Sequence, residues 1–427
     1  MTGLVLFLML AALLLTGTPI SIALGMTVLL FLFTMSNLPF EIITQKLFTS
    51  LDNFAIMAVP FFVLAGTLLT EGGVAARIVR FAVALVGWMR GGLAIAAVLS
   101  CTFFAAVCGS SPATVVAIGS IMLPAMVQHG YTKRFSVGVI ATSGSLGILI
   151  PPSIVMIIYA VSTNESIGKL FVAGVVPGLL MAVALMVVTY FVARAKGFPT
   201  MKRATAREVW VSFRESVWGL MLVVIVFGGI YGGVFTPTEA AAVSAVYAFV
   251  VAVFIYRELP WRRIPQVLRN GANMSAMLLY IITNAILFSY LLTSENIPQL
   301  MAQWIIAQGF EPWMFLLFVN VLLFFAGDFM EPTSIILILA PLFLPVAVSL
   351  GIDPIHLGII MTINMELGMI TPPVGLNLYV ASGLARMGLT EVTKAAAPWI
   401  LPVAAVLLLV TYVPAISLWL PNLLYGR

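Results

Sequence analysis

The chain has 427 residues, 62% of them hydrophobic and only 8% charged, with a mean hydropathy of +1.16. A soluble chain of this length carries roughly a quarter of its residues as charges, so a water-soluble globular protein is excluded. The formal net charge of +5 comes from basic residues between apolar runs, without a cluster interleaved with surface aromatics, which excludes nucleic acid as a partner.

Apolar runs fall at 3–17, 19–35, 54–70, 92–108, 112–128, 134–162, 169–193, 217–235, 239–256, 271–293, 313–327, 332–350, 355–385 and 395–420. Many such runs make an all-α polytopic membrane protein. The first, Leu4–Leu15, lacks the basic flank of a secretory signal and is read as structural. Cys101 and Cys108 lie in one apolar run with no accompanying His or second Cys pair, so they are read as small packing residues. A full crossing needs about 20 residues. The runs around Ser110-Ser111 and Asp328 are shorter, and are expected to form two re-entrant hairpins, at about 92–128 and 313–350. The runs 134–162 and 355–385 are long enough to cross but carry Pro151-Pro152 and Pro372-Pro373. Proline removes a backbone donor and disfavours a helical residue before it, so each run becomes a discontinuous helix broken near mid-membrane. Arg77–Arg90 with Trp88 and Arg257–Arg269 with Trp261 alternate basic and apolar residues, as amphipathic helices at the cytoplasmic interface do.

The breaks are duplicated. Leu146-Gly-Ile-Leu-Ile-Pro-Pro152 matches Leu367-Gly-Met-Ile-Thr-Pro-Pro373, and a Leu-Pro precedes each at equal distance, at Pro124 and Pro345. Each copy also follows a polar interruption, Cys108-Gly-Ser-Ser-Pro112 in the first and Gly327-Asp-Phe-Met-Glu-Pro332 in the second. Duplicated broken apolar segments are the sequence mark of a secondary transporter and of its binding site. Placing Arg194–Arg214 in the cytoplasm puts seventeen of the twenty basic residues inside. Only Lys46, Lys169 and Arg427 remain outside, together with both termini. Five crossings per half then invert the second half relative to the first. The expected organisation is a first repeat at 1–195, a basic cytoplasmic linker at 196–216, and a second, inverted-topology repeat at 217–427.

Irregular backbone at membrane depth is tolerated only where protein or a water-filled cavity satisfies it. Half-helices are expected to begin at Pro112, Pro152, Pro332 and Pro373, and their N-terminal N–H groups can receive an anion. The preceding carbonyls suit Na⁺. Ser110, Ser111, Thr114 and Ser145 add hydroxyl oxygens in the first half; Asp328, Thr333, Ser334, Asn364 and Thr371 add side-chain oxygens in the second. This predicts two cation sites flanking one anionic substrate. Glu331 stands either among the substrate contacts or as a cap of the helix at Pro332, and Glu366 as ligand, proton carrier or structural anchor. Isolated Ser143 is read as a packing residue, Glu239 as a helix cap or subunit contact, and Glu71 as a solvated loop residue.

Gly109-Ser-Ser-Pro-Ala-Thr114, Ile352-Asp-Pro-Ile-His-Leu-Gly358 and Asn364-Met-Glu-Leu-Gly-Met-Ile-Thr-Pro-Pro-Val-Gly-Leu-Asn-Leu378 resemble the large, dicarboxylate-type M subunit of tripartite ATP-independent periplasmic (TRAP) transporters. The resemblance covers essentially the whole chain, although Val115-Val116 is bulkier than the small residues of that hairpin tip. It implies an ion-transporter-superfamily fold working as an elevator in the bacterial inner membrane. The sodium gradient would drive import of a small organic anion such as a dicarboxylate or sialic acid. It further implies a small four-helix Q-type membrane subunit and a soluble periplasmic substrate-binding protein as partners. Carried over by motif, the first sodium site would use Ser110, Ser111, Ser145 and backbone near Gly147; the second, Gly327, Asp328, Gly368 and Thr371. Two alternatives stand beside this reading: a self-sufficient dicarboxylate or citrate carrier, and a sodium–proton exchanger of similar fold. An intramembrane enzyme is disfavoured, because Phe325-Ala-Gly-Asp328 matches the Gly-x-Gly-Asp of membrane aspartyl proteases only in part and lacks a partner Asp.

Overall fold

The computed structural model describes residues 2–35 and 39–426; Arg427, counted above as an outside basic residue, lies outside the described residues. These residues form twenty α-helices and no strand. The first two apolar runs become α1 (Thr2–Leu15) and α2 (Ile20–Met35), followed by a short α3 (Phe40–Thr49). A 3-10 turn, Phe54–Met57, leads into α4 (Ala58–Glu71), and α5 (Val74–Val86) follows. Next come α6 (Gly92–Cys108), α7 (Ser111–Gln128), α8 (Lys133–Ser143), α9 (Ile154–Thr163) and α10 (Ile167–Ala195). The second half comprises α11 (Ala206–Tyr231), α12 (Pro237–Val250), α13 (Ile264–Ser294), α14 (Ile297–Ala307) and α15 (Pro312–Phe329). It ends with α16 (Pro332–Ser349), α17 (Pro354–Met369), α18 (Leu376–Ala385), α19 (Leu389–Tyr412) and α20 (Ala415–Tyr425). Among the described residues nine helical stretches have the length and hydropathy to cross a membrane. The chain is a polytopic membrane protein.

Several boundaries differ from the sequence reading, each for a local reason. The linker expected to reach 216 is helical from Ala206, because Thr205 and Glu208 close a capping box, the Thr205 N–H donating to Glu208 Oε2 at 2.6 Å. The run 395–420 divides at Pro414, which starts α20. The segments around α3 and α14, read as connections, coil into short helices behind Pro39 and Asn296. The arms α7 and α15 each reach 18 residues, longer than their apolar runs, because the helices absorb Ser111 in the first and Pro312, Asp328 and Phe329 in the second; α16, also 18 residues, stops one short of its run.

The basic segments do more than set topology. Helix α5 buries Val74, Ala75, Ile78, Val79 and Ala82, and turns Arg77 and Arg80 toward the helices after it. Arg77 reaches Glu258 at 2.7 Å and stacks 3.8 Å over the Tyr256 ring; Arg80 reaches Glu215 at 3.0 Å. Thus α5 is tied to α11 and to the segment that connects α12 to α13. Helix α4 packs on α12 and α13 in the same group.

Two helix pairs and two broken helices repeat. Gly109-Ser110 joins α6 to α7, and Met330-Glu331 joins α15 to α16. Residues 144–153 interrupt α8 and α9, whereas 370–375 interrupt α17 and α18. Both Pro-Pro bonds are cis. In each half the break is sewn to the adjacent helix-pair tip: Ile154 N–H donates to Gly109 O at 3.5 Å, and Val374 N–H to Asp328 O at 3.1 Å.

Candidate functional site

The first oxygen-rich group forms where the α6–α7 tip meets the first break. Ser110 O accepts from Thr114 Oγ1 at 2.8 Å, and Ser111 Oγ lies 2.9 Å from Gly144 O. Gly147 is required for this approach: a Cβ there would lie 2.6 Å from Ser110 O and 2.8 Å from Ser111 Cα. Ser145 Oγ lies 2.7 Å from Thr142 O and 3.0 Å from Glu366 Oε1. Ser111, Thr114 and Ser145 are fully buried. Their hydroxyl protons have protein acceptors, which leaves oxygen lone pairs for a further partner. The bulky Val115 fits because Gly144 has no side chain where the two meet.

The second group repeats the device with different chemistry. A Cβ on Gly368 would lie 2.7 Å from Gly327 Cα, so α15 and α17 touch backbone to backbone. Asp328 is buried at the end of α15, and its Oδ1 has no partner. Asn364 donates to Asn320 Oδ1 at 2.8 Å, but its own Oδ1 is unpaired; Ser334 Oγ and Glu366 Oε2 are unpaired as well. Thr371 Oγ1 donates to Leu367 O at 2.7 Å. In the first half Ser143, read as packing, is also buried with an unpaired hydroxyl. Each unpaired buried polar atom costs about 1–3 kcal/mol, so a concentration of oxygens of this kind is what a hard cation would relieve. Among the described residues no three His, Cys, Asp or Glu side chains gather, so the donor set is one of hydroxyl, amide, carboxylate and carbonyl oxygens.

Between the two tips lies a cavity of about 340 Å³. Ser110, Ser111 and Pro112 line it from one side and Glu331, Pro332 and Thr333 from the other. Ile148 comes from the first break, Ile154 and Met369 flank the two breaks, and Met274 and Met277 of α13 close it. Its size suits a small molecule. It has no basic side chain, so an anion there would rely on backbone N–H groups and bound cations. Helices α7 and α16 both present N-termini without a side-chain cap. Glu331 therefore does not cap α16 by a side-chain bond, and it lines the cavity instead. A second space of about 270 Å³ shares Ser110, Pro112 and Met274 and runs past Thr70 to Glu71, which is exposed as expected but is the last residue of α4 rather than part of a loop.

Two expected substrate contacts are displaced. Pro152 and Pro373 neither start helices nor line the cavity: α9 begins at Ile154 behind Ser153, whose hydroxyl accepts from Met156 N–H, and α18 begins at Leu376 behind Gly375. Asp328 is likewise absent from the cavity wall and belongs only to the second oxygen group. Sequence reasoning missed Asn377, whose Nδ2 donates to Ser111 Oγ at 2.7 Å, and Asn320, which holds Asn364 and donates to Thr411 at 3.1 Å. Both are amides within apolar runs, a signal as strong as that of Asn364. Met274 and Met277 carried no such signal. Glu239 is a cap, forming a capping box with Thr236.

Residues 7–416 match the model of the family described as tripartite ATP-independent periplasmic transporter, DctM component. The C4-dicarboxylate TRAP transporter large permease protein DctM of Rhodobacter capsulatus is 59% identical over 99% of this chain and all of its own length. Its namesake in Vibrio cholerae is 48% identical over 99% of this chain and 98% of its own. The V. cholerae sialic acid TRAP transporter large permease protein SiaM is 36% identical over 97% of each. Two solved structures share the fold, each with a TM-score of 0.62. The Alcanivorax borkumensis YdaH transporter is 16% identical, covering 92% of this chain and 88% of its own. The Neisseria gonorrhoeae antimetabolite efflux pump MtrF is 12% identical, covering 91% and 85%. The paired tips, the broken helices and the sequence match together make this chain a large permease subunit of the TRAP transporter family, a membrane translocation protein and not an enzyme.

Proposed function

We propose that this permease imports a small organic anion, a C4-dicarboxylate by similarity to its relatives, in symport with Na⁺ across a bacterial inner membrane. The observation that carries the reading is the cavity lined by both tips, flanked by two groups of buried oxygens. An anion in an apolar cavity without Lys or Arg needs neutralising charge from elsewhere. Two cations bound beside uncapped helix N-termini supply it, so neither ion nor substrate is favourably bound alone. The first cation takes Ser110, Ser111, Thr114, Ser145 and Gly147; the second takes Gly327, Asp328, Thr333, Asn364, Gly368 and Thr371.

In this reading the two halves are inverted repeats, and the α6–α7 and α15–α16 pairs are re-entrant hairpins. Those pairs and the broken helices move together as an elevator against a scaffold that includes α4, α5, α11, α12 and α13. The salt bridges of Arg77 and Arg80 support that division, since they join α5 to α11 and to the connection between α12 and α13. A Q-type small subunit enlarges the scaffold and a periplasmic binding protein delivers the anion, with both termini in the periplasm.

The test is uptake of radiolabelled succinate into proteoliposomes containing this chain, its small membrane partner and the binding protein. An inward Na⁺ gradient should drive accumulation, and omitting the binding protein should abolish it. Equal uptake with K⁺ in place of Na⁺ removes the coupling; equal uptake without the binding protein makes the chain a self-sufficient carrier.

A further inference from the structure

Ser145 and Glu366 occupy the same place in the duplicated motif, each immediately before its Leu-Gly, and they touch. Ser145 Oγ and Glu366 Oε1 are 3.0 Å apart, and both residues are fully buried. In the inverted-repeat reading proposed above, the halves are related by a two-fold axis, and equivalent positions can meet only at that axis. Glu366 therefore stands where the halves join, two residues from Gly368, whose backbone abuts Gly327 of the second oxygen group. Its other oxygen, Oε2, has no protein partner.

The contact has a chemical consequence for Ser145. A hydroxyl ligates a cation through its lone pairs, so its proton must point to an acceptor on the far side. Ser145 has two acceptors within reach, Thr142 O at 2.7 Å on its own helix and Glu366 Oε1 from the other half. The local carbonyl is supplied by the first half alone. The carboxylate oxygen is supplied by α17, which two residues later carries Gly368 of the second group.

We propose that Glu366 is a positioning residue: it orients the Ser145 hydroxyl of the first cation group from the helix that builds the second, and so couples the two cation affinities. This rests on the sodium-symport reading above. Partners that orient a metal ligand typically carry about 10- to 100-fold in metal affinity. Glu366→Ala should lower sodium affinity in that range and reduce the cooperativity of sodium activation. Glu366→Gln, which keeps an acceptor oxygen for Ser145, should restore most of both.

The experiment is radiolabelled-sodium binding to the purified protein, with sodium-dependent succinate uptake by the reconstituted system alongside. Wild type, E366A, E366Q, S145A and S145A/E366A are compared, with thermal stability recorded for each. The double variant should bind sodium no more weakly than S145A alone, because Glu366 acts through that hydroxyl. A purely structural anchor would lower the melting temperature and leave sodium affinity and cooperativity unchanged. That result, or losses that multiply in the double variant, overturns the proposal. If E366A is not recovered from membranes, E366M, similar in volume but without an acceptor, takes its place. Sodium-independent binding and uptake by wild type would sink the symport reading itself, and this proposal with it. Sodium-dependent wild type with an unchanged E366A sinks this proposal alone.

Discussion

Adding one methyl group at Gly368 tests the backbone contact on which the second oxygen group depends. A Cβ at this position lies 2.7 Å from both Cα and the carbonyl carbon of Gly327 and 3.0 Å from its oxygen. Non-bonded carbons rest at about 3.5–4.0 Å, so α15 and α17 must part by about 1 Å. The atoms met are main chain, which no rotamer change can move aside. Overpacking of this kind costs about 1–3 kcal/mol. If the strain is relieved by opening the oxygen group, the same energy appears as a loss of about 5- to 150-fold in sodium affinity. Gly383→Ala in α18 is the control, because nothing lies within 4 Å of its Cβ position and helix propensity favours alanine by about 0.5–1 kcal/mol. Thermal unfolding in detergent and the sodium concentration for half-maximal succinate uptake should therefore fall and rise, respectively, in G368A, and neither should worsen in G383A. Wild-type sodium affinity together with wild-type stability in G368A would falsify the argument that close helix approach builds the site.

Asp328→Asn and Ser110→Ala should each weaken sodium activation of uptake while the protein remains folded by size-exclusion profile; two variants with wild-type sodium affinity refute the ligand assignment. Asn377→Ala removes the amide that donates to Ser111, and should reduce sodium affinity in a manner non-additive with Ser111→Ala, read by a double-mutant cycle. Arg77→Ala loses both the ion pair to Glu258 and the stacking on Tyr256, and should lower stability by about 1–2 kcal/mol with sodium affinity intact. Glu208→Ala opens the capping box with Thr205, and amide exchange at the start of α11 should accelerate in that variant.

The parts legible in the sequence are those whose cause is local. Proline chemistry at Pro151-Pro152 and Pro372-Pro373 dictated the breaks, and the polar interruptions Cys108–Pro112 and Gly327–Pro332 contain the helix-pair tips, at Gly109-Ser110 and Met330-Glu331. Proline alone was a poor guide to where helices restart. Ser153, with a side chain able to accept from Met156 N–H, is the better N-cap and moves the start of α9 past Pro152. At the second break Gly375, in the left-handed region with a φ of 54°, plays that part for α18. Contacts between halves were invisible because nothing local encodes them: Asn377 meets Ser111 across 266 positions and Glu366 meets Ser145 across 221. The Met274–Met277 wall was equally hidden, since an apolar stretch reads alike whether it faces lipid or a cavity.

Those long-range contacts bear on why the chain carries a duplication and yet is not symmetric. The first break is buried throughout Pro151–Ser153, whereas Pro372, Pro373 and Val374 are exposed. The first oxygen group holds hydroxyls and no acid of its own; the second holds Asp328. Each deficiency of the first group is met from the other half, Ser111 by Asn377 and Ser145 by Glu366. A second half taken alone would leave Glu366 Oε1 and the Asn377 amide without partners, at about 1–3 kcal/mol apiece, and a first half alone would keep only Gly144 O and Thr142 O for Ser111 and Ser145. The two groups and the cavity between them are therefore one cooperative unit rather than three adjacent sites. A displacement that separated the tips would break the Ser111–Asn377 and Ser145–Glu366 contacts together, which is why the proposed elevator carries both tips and both breaks as a single body.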